Sequence, residues 1–292
     1  ADATIRNLRI IGEGEGIAML VSGGAPTLED LTIKHANAPL LETALAGALF
    51  IEDGSNADVR DSILWQRVRI GGGSAPTISD SELSGVALVV QEGSSPVFAD
   101  NSMSGDCGCR DAIVVGGSTP TFKGNTFVFS GLEIAGRDGD GTAAHLERNR
   151  FGAHEAEALS VSGGAGATIV GNRFYGNNQG VRVHEASADV RDNEFVGNWN
   201  AVMLSDTDAT LADNTIRGGE YGVSIGNGSS PSISGNLIEN VGTRGIFVAD
   251  GTSPTVEGNT ICGSAENLVV GPAGHPVLIA NDICTDGATA AG

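Results

Sequence analysis

Hydrophobic residues along this chain recur at alternate positions, in runs of four or five residues that Gly, Pro, Asn and Asp interrupt. Ile169 and Phe174 flank a turn at Asn172, and Leu211 and Ile216 flank one at Asn214. Further segments read Gly-Val-Ser-Ile, Gly-Ile-Phe-Val and Gly-Val-Arg-Val, each followed by a turn rich in Gly, Asp, Ser and Pro. Period-two alternation bounded by turn residues predicts short β-strands, two per unit. No segment carries a 3.6-residue stripe of helical length.

The units repeat. ATIVGNRF, ADVRDNEF, ATLADNTI, PSISGNLI, PTVEGNTI and PVLIANDI share a frame anchored on Asn172, Asn193, Asn214, Asn236, Asn259 and Asn281. Asn101, Asn125 and Asn149 extend the frame upstream, with separations of 24, 24, 23, 21, 21, 22, 23 and 22 residues across the nine. Leu8, Leu31, Ser62 and Ser81 hold the anchor position before that, giving thirteen copies, here numbered as coils from the N-terminus. A helix-free unit of about 22 residues cannot hide its apolar face alone, so the copies must stack into a solenoid. The Leu-x-x-Leu-x-Leu consensus of leucine-rich repeats is missing. The remaining fit is an all-β, right-handed, single-stranded parallel β-helix of about 12–13 coils, spaced about 4.8 Å apart. It predicts an inward Phe ladder (Phe127, Phe151, Phe174, Phe195) continued by Ile216, Ile238, Ile261 and Ile283. The Asn anchors are expected to form a hydrogen-bonded turn ladder, in which Asn tolerates left-handed backbone geometry.

Units such as Ser230-Pro231-x-Ile233-x-x-Asn236-x-Ile238 give the chain a family likeness. The pattern resembles the parallel β-helix repeats of the pectate-lyase-like superfamily, and especially the regular secreted bacterial type. The likeness covers the whole chain. It implies one β-helix domain over residues 1–285 and a flexible tail over 286–292.

Composition narrows the functional classes. Of 292 residues, 44 are Gly and only 4% are aromatic, and the formal net charge is −20. The glycines show no three-residue period, which excludes collagen. Such acidity argues against nucleic acid, whose phosphates need basic contacts, and no apolar run is long enough for a transmembrane helix. A signal peptide is not expected within these residues. No amphipathic cap is visible at either end, so the chain is expected to be part of a longer polypeptide or a complex. Cys262 and Cys284 follow Asn-Thr-Ile and Asn-Asp-Ile in consecutive copies. They therefore occupy one corner a coil apart, within disulfide reach, which favours an extracellular, cell-surface or periplasmic location.

Interruptions of the repeat are where solenoids usually carry function. The coil between Leu31 and Ser62 is longer than the rest and adds Lys34–Ala46, with His35, Pro39 and Glu42. Cys107 and Cys109 stand in a second interruption, and no further Cys or His pair nearby completes a four-ligand metal set. Asp138 and Asp140 sit in Arg-Asp-Gly-Asp-Gly-Thr, half of a calcium loop, and Asp206 and Asp208 repeat that spacing. Calcium is the only cofactor suggested.

The second strand of each unit presents an outward column: Met19, Phe50, Arg69, Val89, Val114, Glu133, Ser160, Arg182, Met203, Ser224, Phe247 and Val269. The next outward column carries Ser162, His184 and Ser205. Glu133, Arg182 and His184 are the candidate catalytic residues, with Ser160, Ser162, Met203, Ser205 and Asp206 as ligand-binding neighbours. His35, His145, His154, His184 and His275 are all expected to face solvent.

Against catalysis, the paired-Asp, Gly-His-Gly and Arg-x-Lys motifs of polygalacturonases are missing, as is the Asp-Pro-His signature of mannuronan epimerases. Lys34 and Lys123 are the only lysines. The acidic surface repels polyuronates unless a cation bridges them. A Thr column (Thr4, Thr27, Thr77, Thr121, Thr168, Thr210, Thr255) lacks the paired neighbour an ice-binding array needs, and three Met residues do not make a copper site. The sequence therefore points first to a non-catalytic module presenting a lateral face to a glycan or a protein. The competing reading is a polysaccharide lyase, hydrolase or C5-epimerase working around Glu133, Arg182 and His184.

Overall fold

The computed structural model describes residues 3–13, 16–36, 46–85, 88–105, 110–137 and 139–285. They form a parallel β-solenoid of about 12 turns with no helix. Each coil holds three strands where the sequence reading counted two, because the Asn corner splits the first predicted strand into a pair such as Thr210–Ala212 and Thr215–Arg217. The strands before and after this corner stack as the first and second faces. These join in one 24-stranded sheet, since the strands Thr4–Glu13 and Thr27–Ala36 run through the corner unbroken. The third face is a separate 12-stranded sheet.

Strand residues alternate between buried and exposed, and the register puts like on like. Phe127, Phe151, Phe174 and Phe195 stack at centroid distances of 4.5, 4.9 and 4.9 Å, and Ile216, Ile238 and Ile261 continue the column at 0% exposure. A second stack, Phe98 on Phe122 at 4.8 Å, lines the first face. Complete burial of a large apolar side chain is worth about 1.5–3 kcal/mol. The core is therefore a sum of similar local contributions.

The corner ladder is continuous. From Asn125 onward, each Asn amide oxygen accepts from the backbone N–H and the Nδ2 of the preceding coil's Asn: Asn193 Oδ1 lies 2.8 Å from Asn172 N and 3.1 Å from Asn172 Nδ2. Its own Nδ2 donates to Ile169 O at 2.8 Å and to Asn214 Oδ1 at 3.0 Å. Ser62 and Ser81 extend the ladder with hydroxyls, which accept from Leu31 N and Ser62 N at 3.1 Å. The left-handed residue is not the Asn but the one before it: Asp100, Arg148, Asp192 and Asp213 have φ of 55, 55, 57 and 54°. Here Gly171 and Gly235 take the same conformation without a Cβ to strain.

The register corrects several outward assignments. Leu20, not Met19, aligns with Phe50, while Met19 aligns with Leu49. Ile113, not Val114, aligns with Glu133, because the strand shifts register between Arg110 and Ala112. Val114 is fully buried. Phe50 does lie in the outward column, yet it is 1% exposed: Gly47 leaves room beside its ring, and the Arg69 guanidinium lies 5.6 Å from the ring centre. His35 and His154 are buried, against the expectation that all five histidines face solvent. Cys262 and Cys284 are joined by a disulfide, with Cα atoms 4.9 Å apart. Cys107, Cys109, Asp138, Pro39 and Glu42 lie outside the described residues.

Candidate functional site

The third face of coils six to eleven holds the predicted site residues in two adjacent columns. The first runs Glu133, Ser160, Arg182, Met203, Ser224 and Phe247; the second runs Ala135, Ser162, His184, Ser205 and Gly226. Both ladders step one residue per coil, so side chains two coils apart are separated by about 9.6 Å of backbone. Glu133 and Arg182 stand two coils apart, with Ser160 between them. Ser160 is only 4% exposed, because its short side chain is flanked by these longer neighbours.

The expected catalytic trio divides. Arg182 Nη1 turns back to Glu157 Oε1 at 3.1 Å, a carboxylate with 11% side-chain exposure. His184 turns the other way: its Nδ1 lies 3.0 Å from Ser205 Oγ and 3.7 Å from Asp206 Oδ2. These groups hydrogen-bond sideways along the sheet and do not converge on one point. Of the calcium candidates, Asp140 accepts a hydrogen bond from Thr142 N at 2.9 Å. Donors on Thr142 hold its carboxyl below the ordinary carboxylate range. That carboxylate caps its own turn.

The sequence reading missed a groove at the corner where the third face meets the first. In seven of the thirteen coils a Pro stands just before the first-face strand: Pro26, Pro76, Pro96, Pro120, Pro231, Pro254 and Pro276. In four consecutive coils the position is Ala: Ala144, Ala167, Ala188 and Ala209. The residues preceding the first three are Ala143, Gly166 and Ser187, so small side chains line the corner over successive coils. The result is an open depression of about 410 Å³ with Thr168, Asp189, Asp208 and Thr210 on its margin. At Ser187 and Asp208 it continues into a second, about 500 Å³, bounded by Ala186, Asp206, Thr207 and Gly228. Asp206 thus connects the groove to His184. The signal was present in the sequence as four successive copies without the corner Pro, but alternation says which residues point outward and not how high they stand.

A second short ladder was also missed. Asn177 and Asn198 donate from Nδ2 to Phe151 O and Phe174 O at 3.2 and 3.0 Å. His154 heads this column, its backbone N–H donating to Asn177 Oδ1 at 3.1 Å. Its ring is buried, and desolvation pushes its pKa down to about 4, the Phe127 carbonyl opposing the shift.

Stacked parallel coils with continuous Asn, Phe and Ile ladders define a right-handed parallel β-helix. Residues 66–210 and 112–261 match the sequence profile described as right-handed beta helix region, and the chain belongs to that family. Its fold is similar to that of a mutant of the periplasmic alginate epimerase AlgG, with a TM-score of 0.66 at 13% identity over 97% of this chain and 79% of that one. It is also similar to the catalytic unit of a GH87 α-1,3-glucanase from Streptomyces thermodiastaticus, with a TM-score of 0.63 at 12% identity over 96% and 64% of the two chains. No curated protein matches the sequence significantly.

Proposed function

We propose that the protein is a non-catalytic glycan-binding module whose ligand lies in the corner groove of coils seven to ten and extends onto the third face beside it. The observation that carries this reading is the loss of the corner Pro in four consecutive coils, which opens a groove bordered by hydroxyls and carboxylates on a rigid scaffold. Saccharide recognition uses such fixed hydrogen-bonding groups, and a rigid sheet presents them at little entropic cost. Arg182 and His184 turn to different partners, Glu157 and Ser205, which supports binding over a concerted catalytic role for the two. The two similar folds belong to proteins whose names tie them to polysaccharides, alginate and α-1,3-glucan, which supports a glycan as the ligand class. The net charge of −20 favours a neutral chain over a polyuronate. The disulfide between Cys262 and Cys284 supports an extracytoplasmic location.

A glycan array read with the wild-type chain and with Ser187→Tyr tests the proposal. Ser187 is exposed on the groove floor, so the bulky ring fills the groove without entering the core. The expected result is retention of neutral glycans by the wild type and at least a tenfold loss in the variant. Equal binding by both proteins would move the ligand elsewhere.

One observation favours a second reading, a polysaccharide lyase or epimerase: His184 and Asp206 form an imidazole–carboxylate pair at the edge of the groove. New unsaturated ends absorbing in the ultraviolet, released from alginate or pectin and lost in Arg182→Ala or His184→Ala, would establish a lyase and displace the binding proposal. Proton exchange at C5 without such ends would do the same for an epimerase.

A further inference from the structure

We propose that His184, Glu185 and Asp206 form a binding site for a divalent cation of the zinc class. One ligand atom from each of the three lies within 4.8 Å of the other two, and this is the single such grouping among the described residues. The backbone assembles it. Glu185 and Asp206 occupy one left-handed turn column on adjacent coils, at φ of 48 and 51°. Glu185 N donates to Ser205 O at 3.2 Å, and Asp206 N donates to Asn227 O at 3.0 Å. His184, the last residue of its strand, places its imidazole beside the pair. The neighbouring coils of that corner carry Gly163 and Asn227, so the two carboxylates are gathered only where the imidazole stands.

The donor set selects the ion. Calcium takes oxygen ligands, whereas imidazole with carboxylates suits zinc and related ions. The His184 to Asp206 separation of 3.7 Å is close to the ~3.4 Å between two ligands of a tetrahedral ion bonded at about 2.0–2.1 Å. Glu185 and Asp206 are exposed, so small side-chain rotations close the remaining distance. Asp206 also borders the groove, which gives the ion an open side for water or for the hydroxyls of a ligand. This replaces the expected oxygen-only calcium loop at Asp206 and Asp208 with a mixed nitrogen and oxygen site. It does not depend on the glycan reading.

Calorimetric titration of the full chain with Zn²⁺ alone provides the test, with Ca²⁺ run in parallel. The wild type is expected to bind Zn²⁺ saturably at this site and Ca²⁺ at least tenfold more weakly. His184→Ala and Asp206→Asn should each weaken that binding at least tenfold. His275→Ala, which removes an exposed histidine elsewhere, should leave it unchanged. Melting curves without metal establish that each variant is folded, and a Zn²⁺-induced rise in Tm should appear in the wild type and His275→Ala only. No saturable Zn²⁺ binding, or equal binding in all four proteins, would overturn the assignment. Glycan binding is measured separately, with and without chelator, so the failure of one proposal leaves the other standing.

Discussion

His154 shows how one residue carries a consequence that its neighbours do not. It stands where the next two coils place Asn177 and Asn198, and it fills the position with an imidazole that burial keeps neutral down to about pH 4. In the unfolded chain the same group titrates near 6.5. Its folded pKa is therefore the lower one, and between those values the unfolded state binds more protons. The resulting stability is full above pH 6.5, declines as pH falls toward 4, and is wholly lost below that, an amplitude of about 3 kcal/mol. His154→Asn replaces the imidazole with the amide the ladder already uses. Urea unfolding at pH 7 and pH 4.5 should show a smaller acid loss in this variant than in the wild type. Parallel losses in the two proteins would assign the acid sensitivity to other groups. The sequence pointed to His154 only as a solvent-facing turn residue, because spacing alone does not separate a turn that closes over its side chain from one that exposes it.

At the scale of the element, the Asn corner is the device that sets coil height and registers each strand on the next. The Asn193 side chain makes five hydrogen-bond contacts at a buried position: two accepted from Asn172 and three, shared between the two Nδ2 hydrogens, to Ile169 O, Arg191 O and Asn214 Oδ1. Asn193→Ala leaves Asn172 N without its acceptor inside the rod, a loss of about 2–4 kcal/mol when the orphaned donor and acceptors are counted together. Asn193→Ser should lose less, since Ser62 and Ser81 show that a hydroxyl can accept from the preceding backbone N–H. Equilibrium denaturation should rank wild type above Ser above Ala, and equal losses for the two variants would deny the ladder its role. This column was legible in the sequence because the same amide recurs every 21 to 24 residues. The left-handed conformation was assigned one residue too late. Side-chain hydrogen bonding and backbone reversal fall on adjacent residues, as at Asp192 and Asn193, and both residue types suit both tasks.

For the molecule as a whole, the repeat made the architecture readable while the departures from it were legible only in part. Periodicity located Phe127 to Phe195 in the core and placed Cys262 one coil from Cys284, since each follows from counting residues per turn. The groove of coils seven to ten depends on the bulk of its lining, and the separation of Arg182 from His184 depends on which neighbour each side chain reaches. Neither quantity is encoded by alternation. A solenoid in which each coil touches only its neighbours distributes stability along its axis, so a staple acts locally. The Cys262–Cys284 bond ties the strands Thr260–Cys262 and Asp282–Ile283, where Val277, Leu278 and Ile279 are exposed on the last coil. Its reduction should release that coil while leaving the interior coils closed. Hydrogen exchange followed by mass spectrometry should then show faster exchange confined to residues after about Thr255, with Phe127, Phe151 and Phe174 and their strands unchanged. Loss of protection spread evenly along the chain would instead mean that the rod unfolds as one cooperative unit, and that the disulfide contributes through the unfolded state of the entire chain.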